Sequence, residues 1–527
     1  MCYVFIFSFS KSTKFNFKHV LVNIMLFIKT ILIILCHHLV ITDIVFAQNN
    51  FNSGKLKLKV SDAIFLALRE NRSIKSAYID RIAQKYTLSV AEDQFNPDLF
   101  ITPSMNQTSN KSSGDRATTN QAGIKLNIPL QLKTGGKFNF SWNNEQTSLS
   151  SGDNSFRSSW DLKFSQPLLR GFGFDVATSN LILARITNQN RILGLQNTIM
   201  TTVTSVINAH RNYQRTSRQK KVAERALNRN IKLLEVNKEL VKAGRLAKSQ
   251  IIQTTADLAT KKFNVLTAKN DLLASRLSLI QTLDINQNIL LDAIEERKVS
   301  PLNKNYDSLI RVALNNRPDY LQALNNLNVR KIGLGLAKNR RLWELNFEGG
   351  IGESRQENSF ENAIEGLNDL GKTDWNIGLK LTIPFGDRFR HAPFVNALTT
   401  LKNQRIQLKE IKQNIEIEIQ NRLRDLNIKY QQVILAKQAT LLSKEKLKVE
   451  NERLRSGRST NFQVVTFQND LLTAETNEIN AIINYKNGLS NLDLALGTTL
   501  KTWEIEMAEK PESWSQILMK LDRDIKK

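Results

Sequence analysis

Gly244-Arg245-Leu246-Ala247-Lys248-Ser249-Gln250, running on to Asp257-Leu258, and Gly457-Arg458-Ser459-Thr460-Asn461-Phe462-Gln463, running on to Asp470-Leu471, are two copies of one pattern. Gly, Arg, Gln, Asp and Leu fall at the same offsets in both, 213 residues apart. Each copy sits between two long segments of helical composition. A glycine there can adopt the left-handed conformation that stops one helix and lets the next begin. The pattern therefore reads as the tip of a helical hairpin, and the chain as a tandem duplication built around two tips.

Working outward, Val176 to Ala243 reads as one helix without proline, on the order of 100 Å long at 1.5 Å per residue. Beyond the first tip a helix runs to about Leu283. Leu258, Val265, Leu272 and Leu279 recur every seven residues, as do Ala259, Leu266, Leu273 and Ile280, which is the period of a coiled-coil seam. A connector at 284–305 contains Pro301. In the second half a helix of similar length is expected from about Pro393 to Ser456. After the second tip, Ile482, Leu489 and Leu496 keep the seven-residue spacing up to Gly497.

Upstream of each long helix the period changes from helical to two. Ile124, Leu126 and Ile128 alternate with polar residues, as do Phe138, Phe140 and Trp142, and again Trp160, Leu162 and Phe164. In the second half Trp343, Leu345 and Phe347 alternate, then Trp375, Ile377, Leu379, Leu381 and Ile383, until Pro384-Phe385-Gly386-Asp387 ends the strand. Such alternation makes strands with one apolar and one polar face. Thr134-Gly135-Gly136 is a turn, and the Ser- and Asn-rich stretches 106–120, 146–158 and 351–373 read as loops. A shorter helix precedes the strands in each half. Ser61 is expected to cap the first, which stops at Asn96-Pro97; Asp307–Asn316 echoes Asp62–Asn71, and the second-half helix runs to about Arg341. The repeat offset is 245 at Asp62 and Asp307 but 213 at the tips, so the first half is 32 residues longer between these markers. One additional β-hairpin within 98–175 would account for it.

The amino-terminal 47 residues read as an export signal, with Met25 as a possible true start. Lys29 precedes an apolar run, and Val45-Phe46-Ala47 suits cleavage before Gln48. An amino-terminal membrane anchor fits less well, because His37, His38 and Asp43 interrupt the run, leaving it short of the roughly 20 residues a span needs. Cys2 and Cys36 both fall in this segment, so the remainder carries no thiol and no disulfide framework. The formal charge is +25, and about +22 without the leader. Lys and Arg are interleaved with Glu and Asp along helices rather than gathered in a patch, which argues against nucleic acid and for solvated helix faces. No other stretch is apolar enough for a membrane helix, so an exported chain of this kind can span a bilayer only as a closed barrel. The expected division is 1–47 signal, 48–300 first repeat, 301–500 second repeat and 501–527 tail.

No catalytic constellation is present. His210 and His391 each stand alone, there is no Cys nucleophile, no Gly-x-Ser-x-Gly and no phosphate-binding Gly-Lys-Ser/Thr loop. Gly171-x-Gly173 and Gly333-x-Gly335 are isolated glycine pairs, and Glu295-Glu296 is a solvated carboxylate pair. The reading is of a non-enzyme without metal or cofactor.

Two halves of the order helix, strands, very long helix, Gly tip, helix resemble the TolC-type outer-membrane efflux protein family. The specific points are Ala243-Gly244-Arg245, Ser456-Gly457-Arg458 and the strand-to-helix junctions Gln166-Pro167-Leu168-Leu169-Arg170-Gly171-Phe172-Gly173 and Ile383-Pro384-Phe385-Gly386-Asp387. The resemblance implies an α+β membrane protein. It would be a homotrimer in which about 12 strands form one barrel in the outer-membrane lipid, continuous with a long α-helical coiled-coil barrel in the periplasm. It implies a passive exit duct for efflux or type I secretion, served by an inner-membrane RND- or ABC-type transporter and a periplasmic membrane-fusion adaptor. Carried over residue by residue, the adaptor-contacting tips are Gly244, Arg245, Leu246, Gly457, Arg458 and Ser459. The positions of an aspartate ring found in some members are Gln463 and Thr466, which carry no formal charge. They are expected at a periplasmic gate without cation binding. Two strands per half give a twelve-stranded trimer; the first half offers four, so the additional pair either enlarges the barrel or projects from it. The alternative reading is an exported coiled-coil scaffold with a soluble β domain.

Overall fold

The structure is a computed structural model and describes residues 56–112, 115–149, 154–289, 291–294, 299–368, 373–385 and 388–507. The signal segment with both cysteines, Gly386-Asp387 and the last twenty residues lie outside the described residues. Lys55–Lys527 form one compact unit.

Each half begins with a helix pair. The first has α1 (Val60–Glu70) and α2 (Arg72–Asp93), the second α6 (Tyr306–Asn316) and α7 (Pro318–Asn339). Helix α1 starts before the expected cap at Ser61: Lys59 is the N-cap, and its backbone N–H donates to the Asp62 carboxylate at 3.0 Å. The N3 carboxylate thus satisfies the N-cap backbone N–H, the reciprocal half of a capping box, and sits in the first turn where the helix dipole favours negative charge. Asn71 caps α2, accepting from the N–H groups of Ser73 and Ile74. In the second half Pro318 opens α7, where the missing N–H costs nothing.

The strands are β2 (Phe100–Ser112), β3 (Asp115–Gln131), β4 (Lys137–Leu149), β5 (Asn154–Pro167), β7 (Glu344–Glu357) and β8 (Asp374–Thr382). They form one antiparallel sheet in the order β2-β3-β4-β5-β7-β8. Here the loops expected at 106–120, 146–158 and 351–373 are corrected. Strand runs on through most of them, with register pairs such as Asn106↔Gln121, Gln146↔Phe156 and Ser158↔Arg355. The backbone ladder continues although side-chain alternation stops, because above the apolar zone both faces are polar. Part of the third stretch is also helical, α8 (Phe360–Glu365), capped by Ser359.

The long helices are α4 (Ser179–Lys242) and α5 (Ser249–Leu283) in the first half, α9 (Arg388–Arg455) and α10 (Asn461–Leu496) in the second. The first is not continuous from Val176. A short α3 (Phe174–Ala177) ends at Thr178, whose hydroxyl donates to Phe174 O at 2.8 Å. Helix α9 begins at Arg388, ahead of Pro393, which lies inside its second turn. With 64 and 68 residues, α4 and α9 extend about 100 Å. Their stability comes from seams rather than from isolated helix propensity. Ile419, Leu426, Val433, Thr440, Leu447 and Leu454 on α9 are all buried at seven-residue spacing. On α5 the expected seam splits: Val265 and Leu279 are buried, whereas Leu266 and Leu273 of the parallel register are exposed.

Midway along the helices sits a belt. Strand β1 (Leu56–Leu58) pairs in parallel with β6 (Leu291–Ala293), which lies within the expected connector. Leu58, Ala63, Ala67, Val206, Leu279 and Leu283 form a core there. His210 is fully buried and its Nε2 lies 2.9 Å from Leu58 O, a packing role rather than a metal site. Tyr213 donates to Leu291 O at 2.7 Å. A last turn of helix, α11 (Thr499–Thr502), closes the described chain.

Arg317 ties the second helix pair to the long helices. It donates to Glu418 at 2.6 Å and to Ala495 O at 3.0 Å, and contacts Asp319 at 2.8 Å. Burial by itself would raise the Glu418 carboxyl, but Arg317 and Arg422 outweigh it and hold it below its ordinary value; Arg317 does the same for Asp319. Depressed carboxylates contribute stability above their unfolded pKa, about 4, and that contribution is lost as pH falls through the lowered value. Glu418→Gln is therefore expected to destabilise the protein at neutral pH, with the difference from wild type beginning to shrink in denaturant titrations as pH falls below about 4 and vanishing only below the lowered folded value. A loss independent of pH would show that the charge is not what matters.

Candidate functional site

Both tips are built by the same device. Gly244 has φ 69 and Gly457 φ 73. At the first, Arg245 N–H donates to Leu240 O at 2.9 Å and Gly244 N–H to Val241 O at 3.0 Å. At the second, Arg458 N–H donates to Arg453 O at 2.8 Å and Gly457 N–H to Leu454 O at 3.1 Å. This is the paired bonding of a Schellman turn, which satisfies carbonyls that a helix end otherwise leaves open. The same turn ends both returning helices: Gly497 has φ 70 and Asp284 φ 58, again 213 residues apart.

Gly244, Arg245, Gly457 and Arg458 are exposed, while Leu246 and Ser459 are half-buried. The two tips differ in their bracing. At the second, Ser459 donates to the buried Glu450 carboxylate, which also faces Arg453 at 3.7 Å. Thr460 caps α10 by accepting from Gln463 N–H at 3.3 Å. Lys446 pairs with Asp470 at 3.0 Å and sits 3.7 Å over the Phe467 ring. At the first tip Lys248 precedes α5 without a side-chain cap. Lys446, Glu450, Arg458, Ser459 and Gln463 share one open groove of about 560 Å³. Thr466 does not line it; its hydroxyl donates back to Phe462 O at 2.9 Å. The two positions matched to a gate are thus one turn apart but differently engaged.

The sequence reading missed two features. Phe462, one position before Gln463, is an aromatic ring 62% exposed on the second tip. One to two turns behind the glycines, a fully buried triad joins the hairpins. Asn237 of α4 donates to Thr254 of α5 at 2.8 Å and to Asn461 of α10 at 2.8 Å, and Asn461 donates to Thr254 at 2.9 Å. Further along, Asn230 donates to Asp257, while Lys261 pairs with Asp257 at 3.4 Å and donates to Asn469. Beyond that, Arg225 and Arg229 face Glu475 at 3.4 and 3.6 Å. The motif aspartates Asp257 and Asp470 thus serve as braces. Leu233 packs with Leu447, Leu454, Val464 and the motif's Leu471 in an apolar layer between the rungs. Polar residues near helix tips gave a weak hint of this; the partners depend on the register between helices far apart in sequence.

At the other end of α4 and α9 lie the strand-to-helix junctions. Leu168 and Arg170 N–H groups donate to Leu345 and Trp343 carbonyls at 2.7 and 3.1 Å, and Gly171 N–H to Asn339 Oδ1 at 2.8 Å. Arg170 pairs with Glu344. The first junction is therefore stitched to the start of β7. Among the described residues no group of three or more His, Cys, Asp or Glu could hold a metal ion. No described helix is long and apolar enough to cross a membrane.

The sequence of residues 309–498 matches the family described as Outer membrane efflux protein. Comparison with curated proteins finds no match. The fold is similar to those of solved outer-membrane channels. The channel OprN matches with a TM-score of 0.62 at 14% identity, over 83% of this chain and 90% of that one. The outer membrane protein VceC of Vibrio cholerae matches with a TM-score of 0.60 at 15% identity, over 83% and 96%. The Campylobacter jejuni CmeC outer membrane channel matches with a TM-score of 0.61 at 15% identity, over 88% of each. The efflux-protein family match thus lies in the second half of the chain, and over most of its length the chain shares the fold of these outer-membrane channels.

Proposed function

We propose that the protein is the passive exit duct of a tripartite efflux or type I secretion system. It would be a homotrimer receiving cargo from an inner-membrane transporter and gripped by a periplasmic adaptor at its tips. The observation that carries this reading is the pairing of a sheet with an apolar band on one face at one end with two Schellman-closed tips about 100 Å away along α4 and α9. Exposed apolar side chains along the helices support association with copies of the same chain: Phe263, Leu266 and Leu273 on α5, and Ile79, Ile82 and Tyr86 on α2. A soluble scaffold would not place Trp375, Ile377 and Leu379 in water.

Docking falls to Gly244, Arg245, Leu246, Gly457, Arg458 and Ser459, to which Phe462 is added as an aromatic anchor. Gln463 is read as part of the gate, with Thr466 behind it; three copies would bring three Gln463 amides toward one axis. Unchanged single-channel conductance in Gln463→Ala would remove it from that role. For docking, cysteines at Leu246 and Ser459 carrying a short crosslinker in living cells are expected to capture one periplasmic adaptor, with Arg458→Glu reducing the yield severalfold. No periplasmic partner at either position would overturn the docking assignment.

A further inference from the structure

The additional hairpin of the first half can be located. Strand β2 follows α2 as β7 follows α7, and β5 leads into α4 as β8 leads into α9. The inserted pair is therefore β3–β4, in the middle of the first-half strands. Cross-strand register then assigns every residue to one of two faces, because directly opposed residues share a face.

Starting from Leu379 on β8, the pairs run Phe347↔Leu379, Leu162↔Ile351, Phe140↔Leu162, Ile128↔Phe140 and, two residues up, Ile101↔Leu126. The same face holds Trp142 and Trp160, directly opposed, and Phe138 and Phe164, whose rings stack at 4.5 Å. The opposite face holds Lys125, Asn127, Asn139, Ser141, Asp161, Lys163, Asn346 and Lys380. One largely apolar face and one polar face thus run across the sheet, the apolar one interrupted only at Glu353, opposite Trp160, and Gln166, opposite Phe347, among the rows named here. On β8 the apolar row from Trp375 to Leu381 spans about 20 Å, close to the height of the lipid-facing band of a membrane barrel.

We infer that β3–β4 is part of the membrane wall, so that three copies close an eighteen-stranded barrel by pairing β2 of each copy with β8 of the next. The inference rests on the trimeric duct proposed above. A projecting hairpin would put Ile124, Leu126, Phe138, Phe140 and Trp142 in water and break the β2–β3 and β4–β5 ladders. The edges left over are complementary. Strands alternate in direction from β2 to β8, so the first and last of the six run oppositely and meet as an antiparallel pair. Both are exposed along their described residues and, among the described residues, pair on one side only. An open edge is not tolerated in lipid, where every backbone group needs a partner. Relative to a twelve-stranded barrel, the circumference grows about 1.5-fold and the cross-section roughly twofold. The outer-membrane segment would then admit wider cargo than the usual duct, leaving the periplasmic end as the size-limiting step.

The test is electron cryomicroscopy of the full-length protein purified into lipid nanodiscs, counting strands in cross-section. Eighteen in a trimer is the expected result. A trimer with twelve strands and β3–β4 outside the wall would overturn the inference while leaving the duct intact; absence of any shared barrel would overturn both. In a second measurement, cysteines are scanned in pairs over 101–105 on β2 and 375–381 on β8. Oxidation is expected to give covalent dimers and trimers on denaturing gels. Cysteines on β2 and β5 should not join, since three strand spacings separate them by about 14 Å, beyond disulfide reach. A ready β2–β5 disulfide would exclude the inserted pair from the wall.

Discussion

Gly497→Val is expected to destabilise the folded chain by about 3–5 kcal/mol and to abolish its accumulation as folded protein. Two costs combine. The residue sits at φ 70, which a β-branched side chain tolerates poorly. A Cβ there would also meet Asn316 O at 2.6 Å and Arg317 N at 2.9 Å. These are backbone atoms at the turn between α6 and α7, so no side-chain rotation relieves the clash. Gly244→Ala and Gly457→Ala separate the two costs, because nothing lies within 4 Å of either Cβ position. They should cost only about 1 kcal/mol each, the conformational share. Thermal unfolding of the three variants checks the order. Equal losses at all three glycines would mean that the contact with Asn316 is not what fixes position 497.

Asn461→Ala is expected to loosen the tip end of the long helices by about 2–4 kcal/mol. The substitution leaves the Asn237 amide and the Thr254 hydroxyl short of a partner in a site from which water is excluded. Because Asn461 belongs to α10 and its partners to the other hairpin, the loss falls on the junction between hairpins rather than on either one. Hydrogen exchange should quicken in residues 233–257 and 454–471 but not in the belt at 199–213. Under the gate reading, conductance of the isolated channel should rise as well. Protection unchanged at both tips would show that Leu233, Leu447 and Leu454 hold the hairpins together without the triad.

The sequence disclosed the tips because glycine between two helical stretches has few other uses, and it disclosed the seams because their period is strict. Both survive in the bonds of Arg245 and Arg458 and in the buried row from Ile419 to Leu454. The strand ends were hidden for a physical reason. Beyond Trp142 and Trp160 the sheet is polar on both faces, so alternation carries no signal there and only the backbone ladder defines the strand. The triad of Asn237, Thr254 and Asn461 was hidden differently: each is an unremarkable polar residue until three helices fix its depth. Asp284 escaped notice because a carboxylate stands where the second half has Gly497; a salt bridge to Arg72 at 2.8 Å accompanies its left-handed backbone. At the start of α1 the expected Ser61 cap falls inside the helix: Lys59 is the N-cap, and its N–H is taken by the Asp62 carboxylate.

The parallel pairing of β1 with β6 constrains the order in which the chain can mature. Leu56 meets Leu291 only after more than two hundred intervening residues have been delivered, among them all of β2–β5 and the whole first hairpin. Closing so long a loop is slow, although its equilibrium cost grows only with the logarithm of its length. The earliest segment to emerge must therefore wait, with Leu58 and His210 unsheltered, until the connector arrives. A chain halted before residue 291 would keep its amino-terminal segment open to proteolysis, whereas one extended through the connector would become resistant there. Until then the belt is the point at which a nascent copy is most exposed to quality control.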